Sequence, residues 1–325
     1  MQKHLDNQAL RVLTACALIG ACSSGKGSAL RAAEDPRIFH ANHCWDDLNT
    51  KDTIAYTRSG EGIYIADSGG NNVKLLASFP RQLFHYPAWS PDKRQLAFTF
   101  PGGEQLFVMD HNCNWRRLAA DKDFGCDGCL IGPAWSPDGT QIAVGRIGDS
   151  AQGGIYLVNT AGTPEFTKLE FPAVTSDRRV CHYLHSLDWS PDGLEIIGYC
   201  WFELYRYNLR TRQVIKISDN NEETRETTPT WSPDGQRIAF VIEKGGARFA
   251  AQGDIYIMDK DGNRRQQVTR AGFNSRPNWS PDGRRIVFQR CNDGGNKDCG
   301  IYIMDSTGRN ITRIIKGGSY PAWSP

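Results

Sequence analysis

Six of the nine tryptophans stand in one tripeptide, Trp-Ser-Pro, starting at Trp89, Trp135, Trp189, Trp231, Trp279 and Trp323. The copies are 46, 54, 42, 48 and 44 residues apart. A fixed pattern recurring at about that period marks an array of like units, helical or propeller-like. The interior of a unit decides between them. After Trp279 comes Ser280-Pro281-Asp282-Gly283, then Ile286-Val287-Phe288, Ile301 to Asp305, a turn at Ser306-Thr307-Gly308, and Ile311 to Ile315. β-Branched and aromatic runs favour strands, and Pro-Asp-Gly clusters favour turns.

The third run recurs as Ile63-Tyr64-Ile65, Leu106-Phe107-Val108, Ile155-Tyr156-Leu157, Leu204-Tyr205-Arg206 and Ile255-Tyr256-Ile257. Each unit therefore reads as a four-stranded antiparallel meander with no stretch left for a helix, and such units stacked radially make a β-propeller. Residues 53 to 79 hold only the later strands of a unit, Ile54-Ala55-Tyr56, Ile63-Tyr64-Ile65 and Val73 to Leu76. The missing first strand is Tyr320-Pro321-Ala322-Trp323-Ser324-Pro325. The sequence thus predicts an all-β, six-bladed propeller over residues 51–325. Its C-terminal strand joins the N-terminal blade, leaving no sheet edge open.

The Trp-Ser-Pro-Asp-Gly repeat resembles the WD40-like (PD40) repeat of TolB-type propellers across nearly all of residues 53–325. That resemblance implies a non-catalytic scaffold that docks a protein or peptide partner in the cell envelope. TolB proteins carry an α/β domain ahead of the propeller. The stretch between Cys22 and Ile54 is too short for one, so that domain is not expected here.

Lys3 and Arg11 precede an apolar run, Val12 to Ala21, that ends in small residues. This is the layout of a secretory signal over residues 1–21, and the run is far shorter than the ~20 residues of a membrane-spanning helix. Leu18-Ile19-Gly20-Ala21-Cys22-Ser23-Ser24 resembles the bacterial lipobox, in which cleavage precedes the cysteine and lipid is added to its thiol. Residues 22–50 are then a tether and N-terminal extension. The expected protein is an exported monomer held at the outer membrane through Cys22, on its periplasmic or surface side. The 38 basic and 36 acidic residues give a net charge of +2 without a run of like charges, which excludes a nucleic-acid partner.

Of ten cysteines, Cys16 lies in the signal and Cys22 takes the lipid, leaving an even set of eight. An even set in an exported chain implies disulfides. Cys291 and Cys299 flank a Gly-rich hairpin loop and are expected to pair. Cys181 and Cys200 sit at one end of their blade and form a second pair. Cys126-Asp127-Gly128-Cys129 has no second pair to complete a zinc site and no helix to make a redox motif, so a small loop disulfide is expected. Cys44 and Cys113 remain, paired by elimination.

Residues that recur in every unit serve needs that every unit shares. The repeated Trp and Asp residues are therefore assigned to packing and turns. Recognition is expected where the repeat is broken, on the long variable loops and at the mouth of the channel. His85, Tyr86, His182, His185, Arg276 and Tyr320 fall there, and aromatic residues and Arg dominate interface hot spots. The competing reading is an enzyme of lyase or lactonase type with a channel metal on His85, His182 and His185. Symmetry speaks against it, because the place equivalent to His85 and His185 in the next alternate blade is Ser275. No nucleophile elbow, phosphate loop, dinucleotide fingerprint or HExxH motif is present. Neither a cofactor nor a metal is expected.

Overall fold

Short β-rich runs separated by Pro-Asp-Gly turns can bury their apolar faces only by stacking sheet on sheet, and the chain does so. The computed structural model describes residues 45, 52–78, 85–99, 105–120, 130–146, 153–170, 174–176, 179–219, 224–244, 252–292 and 298–325. All of them belong to one compact unit, Ile38–Pro325. Cys22, Cys44, Cys126 and Cys129 lie outside the described residues.

Three separate four-stranded antiparallel sheets run in chain order. They are His85–Trp89 to Trp115–Ala120, Leu130–Trp135 to Phe166–Lys168, and His185–Trp189 to Val214–Lys216. Two more meanders, Thr224–Trp231 to Gln266–Gln267 and Phe273–Trp279 to Thr312–Lys316, are joined by a parallel contact between Gly253 and Phe273. A Cβ on Gly253 would lie 2.7 Å from the Asn274 carbonyl oxygen, so only glycine admits this approach. The remaining sheet combines both chain ends: Ser319–Trp323 pairs antiparallel with Thr53–Arg58, which leads to Gly62–Asp67 and Lys74–Ser78. Within the long variable segment at 170–186, Val174–Ser176 and Arg179–Cys181 form a hairpin of their own.

Among the described residues the core divides into six apolar clusters, and each contains one repeat tryptophan: Trp89, Trp135, Trp189, Trp231, Trp279 and Trp323. Each cluster joins neighbouring sheets. Trp323, for example, packs with Ile54 and Tyr56 of the first strands and with Val287 and Ile303 of the last. Such a ring buries roughly 150–250 Å², on the order of 4–6 kcal/mol of transfer free energy as an upper bound. Three of the indoles also donate Nε1–H to an alanine carbonyl of the preceding first strand: Trp89 to Ala322 at 3.2 Å, Trp135 to Ala88 at 3.0 Å and Trp189 to Ala134 at 3.1 Å. Trp45, which the sequence places in the N-terminal extension, is buried in the cluster of Trp89. Its ring meets that of Trp89 edge-on at 5.4 Å and its Nε1–H donates to the Lys93 carbonyl at 3.1 Å.

The repeated Ser-Pro-Asp turns are held by one device. Ser280 Oγ donates to Asp282 Oδ1 at 2.6 Å and accepts from Arg285 N at 2.9 Å, while Asp282 Oδ1 accepts from Arg284 N at 3.0 Å. These bonds hold the carboxyl of Asp282 below the usual carboxylate range. At the end of the third strand, Asp67, Asp110, Asp259 and Asp305 likewise accept from backbone N–H groups of their own turns. These are turn residues. Ser280→Ala, which strands a fully buried donor pattern, is expected to cost about 1–2 kcal/mol. A urea midpoint within error of wild type would contradict this.

Two disulfides are present as the sequence predicts, Cys181–Cys200 and Cys291–Cys299, the latter between directly paired strand residues. Cys113 is also disulfide-bonded and buried.

Candidate functional site

In each of the six meanders the first strand is interrupted by a bulge. The register shifts between His85 and Ala88, Ile131 and Ala134, His185 and Asp188, Thr227 and Thr230, and Ser275 and Asn278. Opposite Ser319 and Ala322 it shifts between Thr57 and Ala55. The first residue inside each bulge has a left-handed backbone: Tyr86 (φ 59°), Gly132 (35°), Ser186 (47°), Thr228 (47°), Arg276 (54°) and Tyr320 (54°). All but Ser186 precede proline. Proline has no N–H to give the ladder and disfavours the right-handed helical region for its predecessor, so the strand opens there. Five non-glycine residues in this region each cost on the order of 1 kcal/mol.

The bulges bring three of the sequence-predicted residues together. The Arg276 guanidinium carbon lies 3.8 Å from the centre of the Tyr320 ring and 4.7 Å from that of Tyr86, and the two rings meet edge-on at 5.0 Å. Burial works against the Arg276 charge, but the Tyr320 and Tyr86 phenols outweigh it and its pKa is raised. Burial pushes the Tyr320 hydroxyl up to about 12. Gly132 makes room for this arrangement, since a Cβ there would lie 3.3 Å from the Tyr86 ring.

His185 stacks on Tyr199 at 5.1 Å and meets Tyr183 edge-on at 5.2 Å. Burial lowers its pKa to about 4, so the imidazole is neutral at neutral pH. His182 is half-buried beside Cys181 and takes no part in the aromatic clamp. His85 is described only as the first residue of its strand. Among the described residues no group of three or more His, Cys, Asp or Glu is placed to hold a metal ion.

Four features of this region were not singled out from the sequence. Asp188 stands where Ala88, Ala134 and Ala322 stand elsewhere, and its carboxylate accepts from Trp231 N at 2.7 Å, Thr230 Oγ1 at 2.9 Å and Trp189 N at 3.1 Å. Desolvation nevertheless raises its pKa to about 6. Tyr199 and Glu243 are both shifted upward, chiefly by burial, and both interact electrostatically with Arg276. Trp201 and Phe202 form the tip of a two-residue hairpin with φ of 51° and 65°, a place that favours Asn-Gly. Trp201 is 36% exposed, and Arg225 lies 4.5 Å over the Phe202 ring. A signal for Trp201 was available, because it stands outside the Trp-Ser-Pro set.

Stacked antiparallel meanders with bulged first strands define a β-propeller-type protein. Residues 178–325 match the family described as the TolB beta propeller domain. Among curated proteins, Uncharacterized protein Atu1656 of Agrobacterium fabrum (strain C58) is 26% identical over 273 residues, covering 75% of this chain and 82% of the relative. Among solved structures, TolB from Acinetobacter baumannii superposes with a TM-score of 0.65 at 22% identity, covering 85% of this chain and 67% of that one. A putative TolB from Agrobacterium tumefaciens gives 0.60 at 21% identity, covering 84% and 98%.

Proposed function

We propose that this chain is a non-catalytic binding module of the cell envelope: a six-bladed propeller, closed by its C-terminal strand, that docks a protein or peptide partner at the mouth of its channel. The observation that carries the reading is the clamp of Tyr86, Arg276 and Tyr320, contributed by three different first strands whose backbones are strained to present it. The pairing of Ser319–Trp323 with Thr53–Arg58, and the packing of the same strand against both His85–Trp89 and Phe273–Trp279, support closure of the ring at six blades. Disulfides inside the scaffold support export to an oxidising compartment, where the lipobox-like segment would anchor Cys22 to the membrane. The channel-metal enzyme is the weaker reading, since the His185 ring is engaged on Tyr199 and Tyr183.

The test is an affinity pull-down from envelope extract with the tagged full chain, comparing wild type with a Tyr86→Ala, Arg276→Ala, Tyr320→Ala triple variant and with Trp201→Ala. The expected result is a specific protein retained by wild type, lost at least tenfold in the triple variant and weakened in Trp201→Ala, with both variants folded by circular dichroism. Equal retention by the triple variant would remove the channel mouth as the docking site.

A further inference from the structure

The clamp holds a cation that has no direct counter-ion among the described residues. Among the described residues no carboxylate lies within 4.0 Å of the Arg276 guanidinium. Glu243, which interacts with it at longer range, is hydrogen-bonded to Thr227 at 3.2 Å and is itself shifted towards its neutral form by burial. Arg276 lies over the ring faces of Tyr86 and Tyr320 and hydrogen-bonds with both side chains, and both of these partners are neutral phenols. A guanidinium carries five N–H donors, more than two phenols engage, so it can still meet a carboxylate with charge-assisted hydrogen bonds.

A second observation points the same way. Thr228 occupies the place equivalent to Arg276 in the neighbouring first strand, with the same left-handed backbone, and its buried Oγ1 has no hydrogen-bond partner among the described residues. A buried hydroxyl left unsatisfied costs on the order of 1–3 kcal/mol unless something supplies the bond. One cation beside phenol rings and one unsatisfied hydroxyl suit a carboxylate carried on an apolar stem. They suit a sugar acid poorly, since its ring hydroxyls would need several further polar partners.

We propose that Arg276, held between Tyr86 and Tyr320, takes a carboxylate of an acidic peptide segment, with Thr228 Oγ1 as an additional contact. This rests on the docking reading above and adds to it the charge of the occupant. The clamp orients the guanidinium before the partner arrives, so little side-chain entropy is lost on binding.

The experiment selects a random dodecapeptide phage pool on the full chain, then measures each recovered peptide by fluorescence anisotropy beside its counterpart with Glu→Gln and Asp→Asn. The expected result is enrichment of acidic residues and a loss of at least tenfold in affinity on amidation. On Arg276→Gln that loss should shrink below twofold, while Arg276→Lys keeps part of it. Both variants are first checked for wild-type circular dichroism. Peptides that bind without acidic preference yet are lost in the triple variant would overturn the carboxylate assignment and leave channel-mouth docking standing. An amidation effect that persists undiminished in Arg276→Gln would place the carboxylate elsewhere and also overturn it. If oligogalacturonate binds in an Arg276-dependent way and no peptide is recovered, the occupant is an acidic glycan and the peptide proposal fails.

Discussion

Deleting residues 319–325 is expected to abolish cooperative unfolding, and Trp323→Ala alone to cost about 3–5 kcal/mol. The strand Ser319–Trp323 is the edge neighbour of Thr53–Arg58, whose residues Thr53 to Thr57 are all buried. Without it their N–H and C=O groups lose partners in a place water reaches poorly, and an edge that the fold keeps covered is opened. Trp323 adds its own contacts: its ring fills the cluster of Ile54 and Val287, its Nε1–H donates to Asp52 at 3.1 Å, and its backbone N–H donates to Asn278 Oδ1 at 2.7 Å. Arg285 lies 4.8 Å above the same ring and pairs with Asp52 at 2.9 Å. The point change alone would consume a large share of the 5–15 kcal/mol that holds a typical domain together. Urea denaturation followed by far-UV circular dichroism is the measurement. A truncated chain with a sharp transition at the wild-type midpoint would show that the last strand does not complete the scaffold.

Asp188→Asn and His185→Phe are expected to tilt the pH dependence of stability in opposite directions between pH 4 and 6.5. Desolvation raises the Asp188 pKa to about 6, above its unfolded value, so the folded state binds the proton more tightly. Its stabilising contribution is present at low pH and is lost as pH rises through 6. Desolvation lowers the His185 pKa to about 4, so the folded state binds its proton less tightly than the unfolded chain. Stability from this group is present above the unfolded value of ~6.5 and is lost as pH falls towards 4.

Each effect is worth on the order of 2 kcal/mol after allowance for partial exposure, and in the wild type they offset each other. Asp188→Asn removes the first and leaves stability rising with pH across the window. His185→Phe removes the second and leaves stability falling. Chemical denaturation at a series of pH values above 4 reads both slopes. That range stays clear of the turn carboxylates Asp92, Asp138, Asp192, Asp234 and Asp282, whose lowered pKa values make their stabilisation disappear only at more acidic pH. Two variants with the slope of wild type would show that neither group is desolvated in the folded protein.

Some parts of the site could be read from the sequence for a definite reason. Tyr86, Arg276 and Tyr320 stand at one fixed offset from their tryptophans, so once the repeat is aligned they must fall at equivalent places on neighbouring strands. Their mutual contact is a consequence of the repeat. Asp188 stands one residue before a repeat tryptophan, but its significance lies in bonds to Thr230 and Trp231 of the next sheet, which no local pattern encodes. Trp201 and Phe202 carry no local turn signal, since bulky aromatics favour strands. It is the tight pairing of Cys200 with Glu203 that forces them into a turn.

The sequence by itself determined the strand meander, the recurring Ser-Pro-Asp turns, the pairing of the C-terminal strand with the N-terminal blade and two of the disulfides, because each follows from short-range chemistry repeated at a fixed period. Tertiary structure alone decided which ring faces meet Arg276, how much water Asp188 and His185 lose, and that Trp45 joins the core. Those outcomes depend on distances between residues far apart in the chain, and a distance across sheets is set by how the bulged strands pack, not by the identity of any one residue.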